Sequence, residues 1–171
     1  VQNEGRNVLE DHAQALLAVA QCQLVPPNLG DVADHAHQHA RPLDEVVEHF
    51  GTQNPRRRGI AHRLVRIYDF AVGTGELKRF IIFGSFVTDK VDPNDIDIFL
   101  LMNDSFDPTA VVGEASVIFN NLAAQEYEGA SIFWLRSFAA MGGEHAAVED
   151  WQYNRDDTRR GIVEVIGHDS K

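Results

Sequence analysis

The sequence predicts a mixed α/β domain, in which a small sheet is flanked by helices. Apolar residues recur at helical spacing through the first half, whereas short β-branched and aromatic runs bounded by turn residues dominate the second half. The chain has 171 residues, which suits one domain with a substantial core. We expect a single domain over 1–171, with extra N-terminal helices in about 1–75 and the sheet-containing core in about 76–171.

Helices are predicted where apolar residues fall on one face between start and stop signals. The longest begins at Asn54-Pro55, a capping residue followed by proline at the first helical position, and ends at Gly73-Thr74-Gly75. Its apolar stripe consists of Ile60, Leu64, Ile67 and Ala71. The other predicted helices are residues 7–21, residues 43–50, a segment opened by Asp107-Pro108 with the stripe Val111, Ala115, Ile118 and Leu122, and residues 142–152.

Four short apolar runs are predicted to be strands, because β-branched and aromatic residues are concentrated in them. The first stops at Gly84, and the second follows the turn-forming Asp92-Pro93-Asn94. The predicted strands cover residues 79–83, 95–102, 130–135 and 161–166. After the N-terminal helices, the predicted order is two strands, a helix, a strand, a helix and a strand. This order is typical of a mixed sheet covered by helices.

The charge of the chain limits its partners. The formal net charge is -11 and the sequence pI is about 5.0. Proteins that bind long nucleic acids draw much of their affinity from Lys and Arg on phosphates, so we do not expect such a partner. The same argument does not exclude a mononucleotide, because a bound divalent ion can supply the positive charge locally.

Other whole-chain features indicate an intracellular protein. No apolar run reaches the length of about 18 residues that a membrane span needs, so we expect no membrane association. The single cysteine, Cys22, cannot form an internal disulfide, and no secretory signal pattern is visible, so we expect a cytoplasmic location. The first residue is Val1 rather than Met, from which we expect a trimmed, processed or engineered start.

The segment that carries chemistry is the hairpin between the first two predicted strands. One strand ends in Gly84-Ser85, nine residues follow, and the next strand opens with Asp95-Ile96-Asp97. Side chains alternate along a strand, so Asp95 and Asp97 are expected to project to the same face. Two neighbouring carboxylates repel each other and resist burial, and a divalent cation removes both difficulties. Carboxylate and phosphate oxygens are ligands that Mg²⁺ favours.

The Gly-Ser pair suits the approach of a phosphate. Gly84 has no Cβ, so its backbone can turn sharply and come close to an anion. A helical turn beginning at Ser85 would point free N–H groups at that anion, and the serine hydroxyl would add a donor. Taken alone, Gly-Ser is an everyday turn and Asp-x-Asp is often a solvated strand start. Their combination at this spacing, each on an apolar strand, favours a functional site.

This pattern resembles the signature of the DNA polymerase β-like nucleotidyltransferase superfamily, over roughly residues 79–102. Gly84-Ser85-Phe86-Val87-Thr88 with the following Asp-Ile-Asp is similar to a group of small bacterial nucleotidyltransferase-like proteins, as is the tail from Trp151 to Glu164. The resemblance implies a nucleotidyltransferase-like fold, in which Gly84 and Ser85 bind the β- and γ-phosphates of a nucleoside triphosphate such as ATP. Asp95 and Asp97 would then be catalytic ligands of one or two Mg²⁺ ions, and an acceptor hydroxyl would attack the α-phosphate with release of pyrophosphate.

The superfamily places a third carboxylate on a later strand, and here the sequence departs from it. The corresponding strand, Ala130-Ser131-Ile132-Phe133-Trp134, contains no acid, and Ser131 falls where that acid is expected. Glu128 and Glu164 are the candidates to replace it, although solvated glutamates are the commoner interpretation of both. A serine cannot replace a carboxylate as a strong metal ligand, so catalysis can be slow or absent.

Two further clusters have both a functional and an ordinary interpretation. His35, His37 and His39 suggest a metal site, but no supporting cysteine or well-spaced fourth ligand accompanies them, which favours a polar surface segment. A basic cluster on a predicted helix could contact phosphate or an acidic partner, or it could be a solvated helix face. That cluster consists of Arg56, Arg57, Arg58, Arg63 and Arg66. Lys90, between the two halves of the motif, could contact the triphosphate, or it could be a solvated loop lysine.

Two functions from different classes follow. The first is a Mg²⁺-dependent nucleotidyltransferase that transfers a nucleoside monophosphate to a hydroxyl of a protein or a small molecule. The alternative is a catalytically weak or inactive relative that binds a nucleotide or a protein partner, for example as one member of a toxin–antitoxin pair. The missing third acid motivates the alternative. The sequence does not identify the base, the acceptor or the oligomeric state.

Overall fold

Residues 38–153 and 158–167 are described by a computed structural model of the chain, so the predicted helix at 7–21 lies outside the described residues. The described strands form one sheet in the spatial order β1-β5-β2-β3-β4. Strand β2 is antiparallel to both of its neighbours, whereas the β1–β5 and β3–β4 pairs are parallel. The strands are β1 (Gln38–Pro42), β2 (Leu77–Phe83), β3 (Ile96–Met102), β4 (Ala130–Arg136) and β5 (Ile162–Ile166). The prediction of a mixed α/β class is confirmed.

The described helices are α1 (Leu43–Gly51), α2 (Pro55–Gly73), α3 (Asn121–Ala123) and α4 (Glu144–Asp150). Helix α2 begins where the sequence predicts, because the Asn54 side chain accepts a hydrogen bond of 2.9 Å from the backbone N–H of Arg57. All four residues of its predicted apolar stripe are fully buried. None of the helices in the described part of the chain combines the length and the apolar character needed to cross a membrane.

The sheet is covered on both faces. Helix α2 packs on the face that carries Phe80, Ile82 and Ile98, and this cluster forms the larger part of the core. On the opposite face, Phe83 and Phe99 pack in a smaller cluster that includes Val148 of α4 and the partly buried Trp151. Because side chains alternate along β3, Asp97 shares this second face with Phe99.

One predicted helix is wrong. The segment opened by Asp107-Pro108 consists of the short 3-10 turns Pro108–Ala110 and Gly113–Phe119, followed by α3 and one wide helical turn over Ala124–Glu128. Gly113 has φ of +73°, which interrupts a regular helix, and Leu122 of the predicted stripe is 66% exposed. This segment therefore forms successive tight turns, and its apolar residues do not line up on one face of a regular helix.

Strand β1 was not predicted. Its sequence, Gln-His-Ala-Arg-Pro, lacks the apolar alternation that identifies a half-buried strand, and it lies at the edge of the sheet beside β5. His39, one of the three histidines considered as a metal site, belongs to this strand. His35 and His37 lie outside the described residues.

Candidate functional site

The backbone at the end of β2 lies against the start of β3. Gly84 follows β2 directly and has φ of +76° and ψ of -161°, a conformation that is open essentially only to glycine. A Cβ built on Gly84 would overlap Oδ2 of Asp97 and would lie 2.9 Å from its carboxyl carbon. Glycine is therefore required here for two reasons, the backbone conformation and the contact with the Asp97 carboxylate.

Ser85 begins a short 3-10 turn of three residues, Ser85–Val87. The Thr88 hydroxyl donates a hydrogen bond of 2.9 Å to the Ser85 carbonyl and closes the turn. A helical segment this short has a negligible dipole, so the expected contribution of a helix N-terminus to phosphate binding is not supported. The turn does fix the position of Ser85, which is half-buried and directly follows Gly84.

The two aspartates lie close together at the start of β3. Asp97 is the second residue of the strand and pairs with Phe83 of β2, whereas Asp95 lies one residue before the strand, not inside it as predicted. Burial raises the pKa of Asp97, the charge of Asp95 raises it further, and the net value is about 6. The structure thus brings Gly84, Asp95 and Asp97 together, and the protein compensates the Asp97 charge only in part.

Ser131 occupies the strand position where the resemblance places a third acid. It pairs in register with Asp97 across the parallel β3–β4 ladder, and a hydrogen bond between the two side chains partly offsets the rise in the pKa of Asp97. The serine hydroxyl can donate this bond to the ionised carboxylate. Ser131 therefore supports Asp97 as a donor and supplies no negative charge of its own.

Both glutamates considered as a replacement acid are engaged by arginines. Glu128 is only 2% exposed, and its carboxylate forms an ion pair with Arg66 of α2. Glu164 of β5 accepts two hydrogen bonds from Arg79, at 2.6 and 2.7 Å. In the part of the chain that the structure describes, no group of three or more acidic, histidine or cysteine side chains is placed to share a metal ion.

The loop between β2 and β3 is organised by Arg57, one of the residues of the basic cluster. Its side chain is fully buried, and its guanidinium donates hydrogen bonds of 2.5–3.0 Å to one backbone carbonyl of α1 and three of the loop. The accepting carbonyls belong to Phe50, Phe86, Thr88 and Lys90. Burial lowers the pKa of Arg57, and the charges of Asp89 and Asp92 oppose that effect.

Two neighbours of Arg57 hold the second half of the same loop. The Arg56 guanidinium donates to the Pro93 carbonyl at 2.6 Å, and the Asn54 amide donates to the Val91 carbonyl at 2.8 Å. The start of α2 is thus attached along the whole loop that joins Ser85 to Asp95. The solvated-face interpretation is wrong for Arg57, which binds protein carbonyls. The sequence gives no signal for this role, because the acceptors lie about thirty residues further along the chain.

Arg160 lies beside the hairpin, and the sequence predicts no role for it. Its guanidinium carbon lies 4.4 Å from the centre of the Phe83 ring, and its Nε donates to the Trp151 carbonyl at 2.8 Å. Its charge also lowers the pKa of Asp97. The segment from Trp151 to Glu164 carries part of the family resemblance, but that resemblance assigns no role to Arg160.

A cavity of about 490 Å³ lies at the other end of α2 and β3. Its lining includes Asp69, Phe70 and Thr74 near the end of α2, and Phe106 and Val111 in the segment after β3. None of the residues at the Gly84–Asp97 site contributes to it. The hairpin and this cavity therefore lie at opposite ends of α2 and β3.

Comparison with known proteins places the chain in a family. Residues 19–166 match the sequence pattern of a family of unknown function, DUF6932, and the chain belongs to that family. The match includes the whole hairpin and all strands of the described sheet. No match was found among curated proteins or among solved structures.

Proposed function

We propose that this protein is a Mg²⁺-dependent nucleotidyltransferase, which transfers a nucleoside monophosphate from a nucleoside triphosphate to a hydroxyl of a protein or a small molecule. The observation that supports this proposal most directly is the contact of the Gly84 backbone with the Asp97 carboxylate, beside Asp95. It places a backbone that a phosphate can approach next to a pair of acids. The acidic net charge of -11 favours such acceptors over a long nucleic acid.

The residues present fit a magnesium ion. Mg²⁺ is commonly held by one or two carboxylates together with substrate phosphates, and Asp95 and Asp97 supply that donor set. The raised pKa of Asp97 supports the same assignment, because the protein leaves its charge incompletely compensated. When bound, the ion would neutralise phosphate oxygens and stabilise the charge that develops during transfer.

The residues of the chain have separate tasks in this proposal. Gly84 and Ser85 bind the β- and γ-phosphates, and the loop fixed by Arg57 holds them in place relative to Asp95 and Asp97. The acceptor oxygen forms a bond to the α-phosphorus, the bond to the β-phosphate oxygen breaks, and pyrophosphate leaves. The proton of the acceptor hydroxyl passes to solvent water, because no third carboxylate among the described residues stands beside Asp97 to accept it.

Pyrophosphate release tests the proposal. The purified chain is incubated with each NTP, Mg²⁺ and candidate acceptors, and the double variant Asp95→Ala with Asp97→Ala is the comparison. We expect Mg²⁺-dependent release of pyrophosphate from the parent and none from the double variant. Glu126→Gln, which changes an exposed acid, is the matched control and should behave as the parent. Equal turnover by the double variant would refute the proposal.

One observation favours a second candidate, a catalytically weak or inactive relative that binds a nucleotide or a protein partner. Ser131 stands in register with Asp97 where a third acid is expected, and both Glu128 and Glu164 are held in ion pairs. Saturable binding of ATP and Mg²⁺ without transfer to any acceptor would support this candidate. A helical protein encoded beside this chain would favour a role in a toxin–antitoxin pair, and we propose a cytoplasmic location for either function.

A further inference from the structure

Asp95 lies just outside the sheet, so strand pairing does not fix its position. The ladder between β2 and β3 ends at the pair of Phe83 with Asp97, and the ladder between β3 and β4 begins at Ile96. Strand β3 itself begins at Ile96, one residue after Asp95. A side chain that ligates a metal has to be held within a narrow range of positions. Another part of the protein must therefore fix the backbone that leads into Asp95.

That backbone is held by the side chain of Arg56, in the first turn of α2. The Arg56 Nε donates a hydrogen bond of 2.6 Å to the carbonyl of the buried Pro93, and a terminal nitrogen donates one of 3.2 Å to the side-chain oxygen of Asn94. Pro93 and Asn94 come directly before Asp95. A guanidinium presents its donors in a planar fork, so one side chain can bind both acceptors at once. These contacts connect α2 to the residues that lead into the Asp-x-Asp half of the motif.

Helix α2 is a rigid support for these contacts. Its apolar stripe is fully buried in the larger core cluster, and its start is capped by Asn54, whose amide also donates to the Val91 carbonyl. Pro93 adds stiffness at the other end of the contact, because the proline ring fixes φ. The segment from Val91 to Asn94 is therefore attached to the core through Asn54 and Arg56.

The two adjacent arginines at the start of α2 hold different halves of the loop. Arg57 binds carbonyls between residues 86 and 90, in the half that follows the Gly-Ser pair. Arg56 binds the half that precedes Asp95. On this geometry we infer that Arg56 is a positioning residue, which sets the place of the Asp95 carboxylate for metal binding. The inference rests on the proposed function and deepens it, since it assigns the metal half and the phosphate half of the site to different arginines.

The charge of Arg56 and its contacts have opposite effects on a metal ion. Removing a cation near two carboxylates favours the binding of a divalent ion, because the ion then meets less repulsion. Releasing the backbone before Asp95 disfavours binding, because the ion itself must then order its ligand. Metal affinity therefore distinguishes a positioning residue from a residue that acts only through its charge.

The test is the binding of Mn²⁺ alone to the full chain, followed by electron paramagnetic resonance, since carboxylates bind Mn²⁺ as they bind Mg²⁺. We expect Arg56→Gln to weaken Mn²⁺ binding by about tenfold, as for other partners that orient a metal ligand. Arg56→Lys should regain part of this loss, because the ammonium group keeps a donor for the Pro93 carbonyl but lacks the fork. Arg58→Gln is the matched control. It removes the same charge from the same end of α2, where Arg58 donates to the Thr52 carbonyl, and should not weaken binding.

A second measurement follows Asp95 without any metal. Backbone order parameters from NMR relaxation should fall at Asn94 and Asp95 in Arg56→Gln, from the rigid range of about 0.85 towards about 0.6. Those at residues 86–90 should stay unchanged, because Arg57 still holds that half of the loop. A general loss of structure would lower both sets together, so the comparison isolates a local release of Asp95.

The outcomes separate this inference from the proposed function. Equal or tighter Mn²⁺ binding by Arg56→Gln overturns the inference, and so does an unchanged order parameter at Asp95. If Arg56→Gln does not fold, Arg56→Lys carries both measurements, and parental values in it overturn the inference. A parent that binds no Mn²⁺ would instead refute the proposed metal site, while the order parameters would still decide whether Arg56 positions Asp95.

Discussion

The backbone of Gly84 lies directly on the carboxylate of Asp97, so close that a methyl group on residue 84 would overlap Oδ2. The two residues come from adjacent antiparallel strands, and Phe83, the neighbour of Gly84, pairs with Asp97 in register. The contact therefore follows from the geometry of the hairpin rather than from a flexible loop. It joins the Gly-Ser and Asp-x-Asp halves of the motif into one site.

The first prediction concerns this contact. Gly84→Ala should destabilise the protein by about 2–4 kcal/mol, because it combines a strained positive φ with a collision against Asp97. Gly113→Ala is the matched control, since Gly113 has a similar φ of +73° and open space around its Cβ position. It should lose only about 1–2 kcal/mol, the strain alone. Denaturant unfolding measures both, and equal losses would contradict the proposed contact.

The second prediction concerns pH. The pKa of Asp97 in the folded protein is raised to about 6 from the ordinary value of 3.8, so the folded state binds this proton more tightly than the unfolded state. The stability contributed by the protonated form is full below pH 3.8 and is lost as the pH rises to about 6. Asp97→Asn should therefore stabilise the metal-free protein by about 1–2 kcal/mol at pH 7, allowing for solvent screening.

This pH prediction has two checks. Unfolding free energies measured from pH 4 to pH 7 should decline less in Asp97→Asn than in the parent, whereas Glu126→Gln should follow the parent. Asp95→Asn removes the neighbouring charge and should lower the pKa of Asp97, as followed by NMR titration. A stability of Asp97→Asn below that of the parent at pH 7 would show that the carboxylate is structural rather than a site residue.

The third prediction concerns the loop between the two halves of the motif. Arg57→Met removes the donor of one buried and three partly buried hydrogen bonds to backbone carbonyls and should destabilise the protein by more than about 3 kcal/mol. Arg57→Lys should rescue little, because one ammonium group cannot replace the arginine fork. Arg58→Met changes the adjacent, exposed arginine and should stay within about 0.5 kcal/mol of the parent in thermal or denaturant unfolding. Similar losses at 57 and 58 would exclude the anchoring role.

The fourth prediction concerns the position of the missing acid. Ser131→Asp places a carboxylate in register with Asp97 and should increase Mg²⁺ affinity and Mg²⁺-dependent pyrophosphate release, while reducing stability without metal. Ser131→Ala removes the hydrogen bond to Asp97 and should raise the pKa of that residue further. Ser137→Asp, on the turn after β4, is a control for added charge. No gain in turnover or Mg²⁺ affinity from Ser131→Asp would argue against a third-acid position at this strand.

The hairpin shows why part of this fold could be predicted from sequence. The stop at Gly84 and the alternation of Asp95 to Ile98 are local signals, and they located β2, β3 and the turn between them to within two residues. The capped start of α2 at Asn54 is local as well. Such features depend on neighbouring residues, so a single sequence contains them.

Other parts depend on distant contacts. Edge strand β1 is polar and forms because β5 offers it a partner, and the segment after Pro108 forms tight turns because Gly113 and the packing of Trp134 replace one helix face. The burial of Arg57 and the position of Arg160 are decided by carbonyls and rings far along the chain. No spacing rule predicts these contacts, and they account for the residues around the site whose positions the sequence did not reveal.

Calorimetric titration of ATP in the presence of Mg²⁺, into the parent and into the double variant Asp95→Asn with Asp97→Asn, tests the central claim most directly. The double variant keeps the size of both side chains and removes both charges. We predict saturable binding to the parent that requires Mg²⁺, and loss of the Mg²⁺-dependent part in the double variant. Absence of ATP binding by the parent, or Mg²⁺-dependent binding of equal strength by both proteins, would contradict the assignment of this hairpin as a nucleotide and metal site.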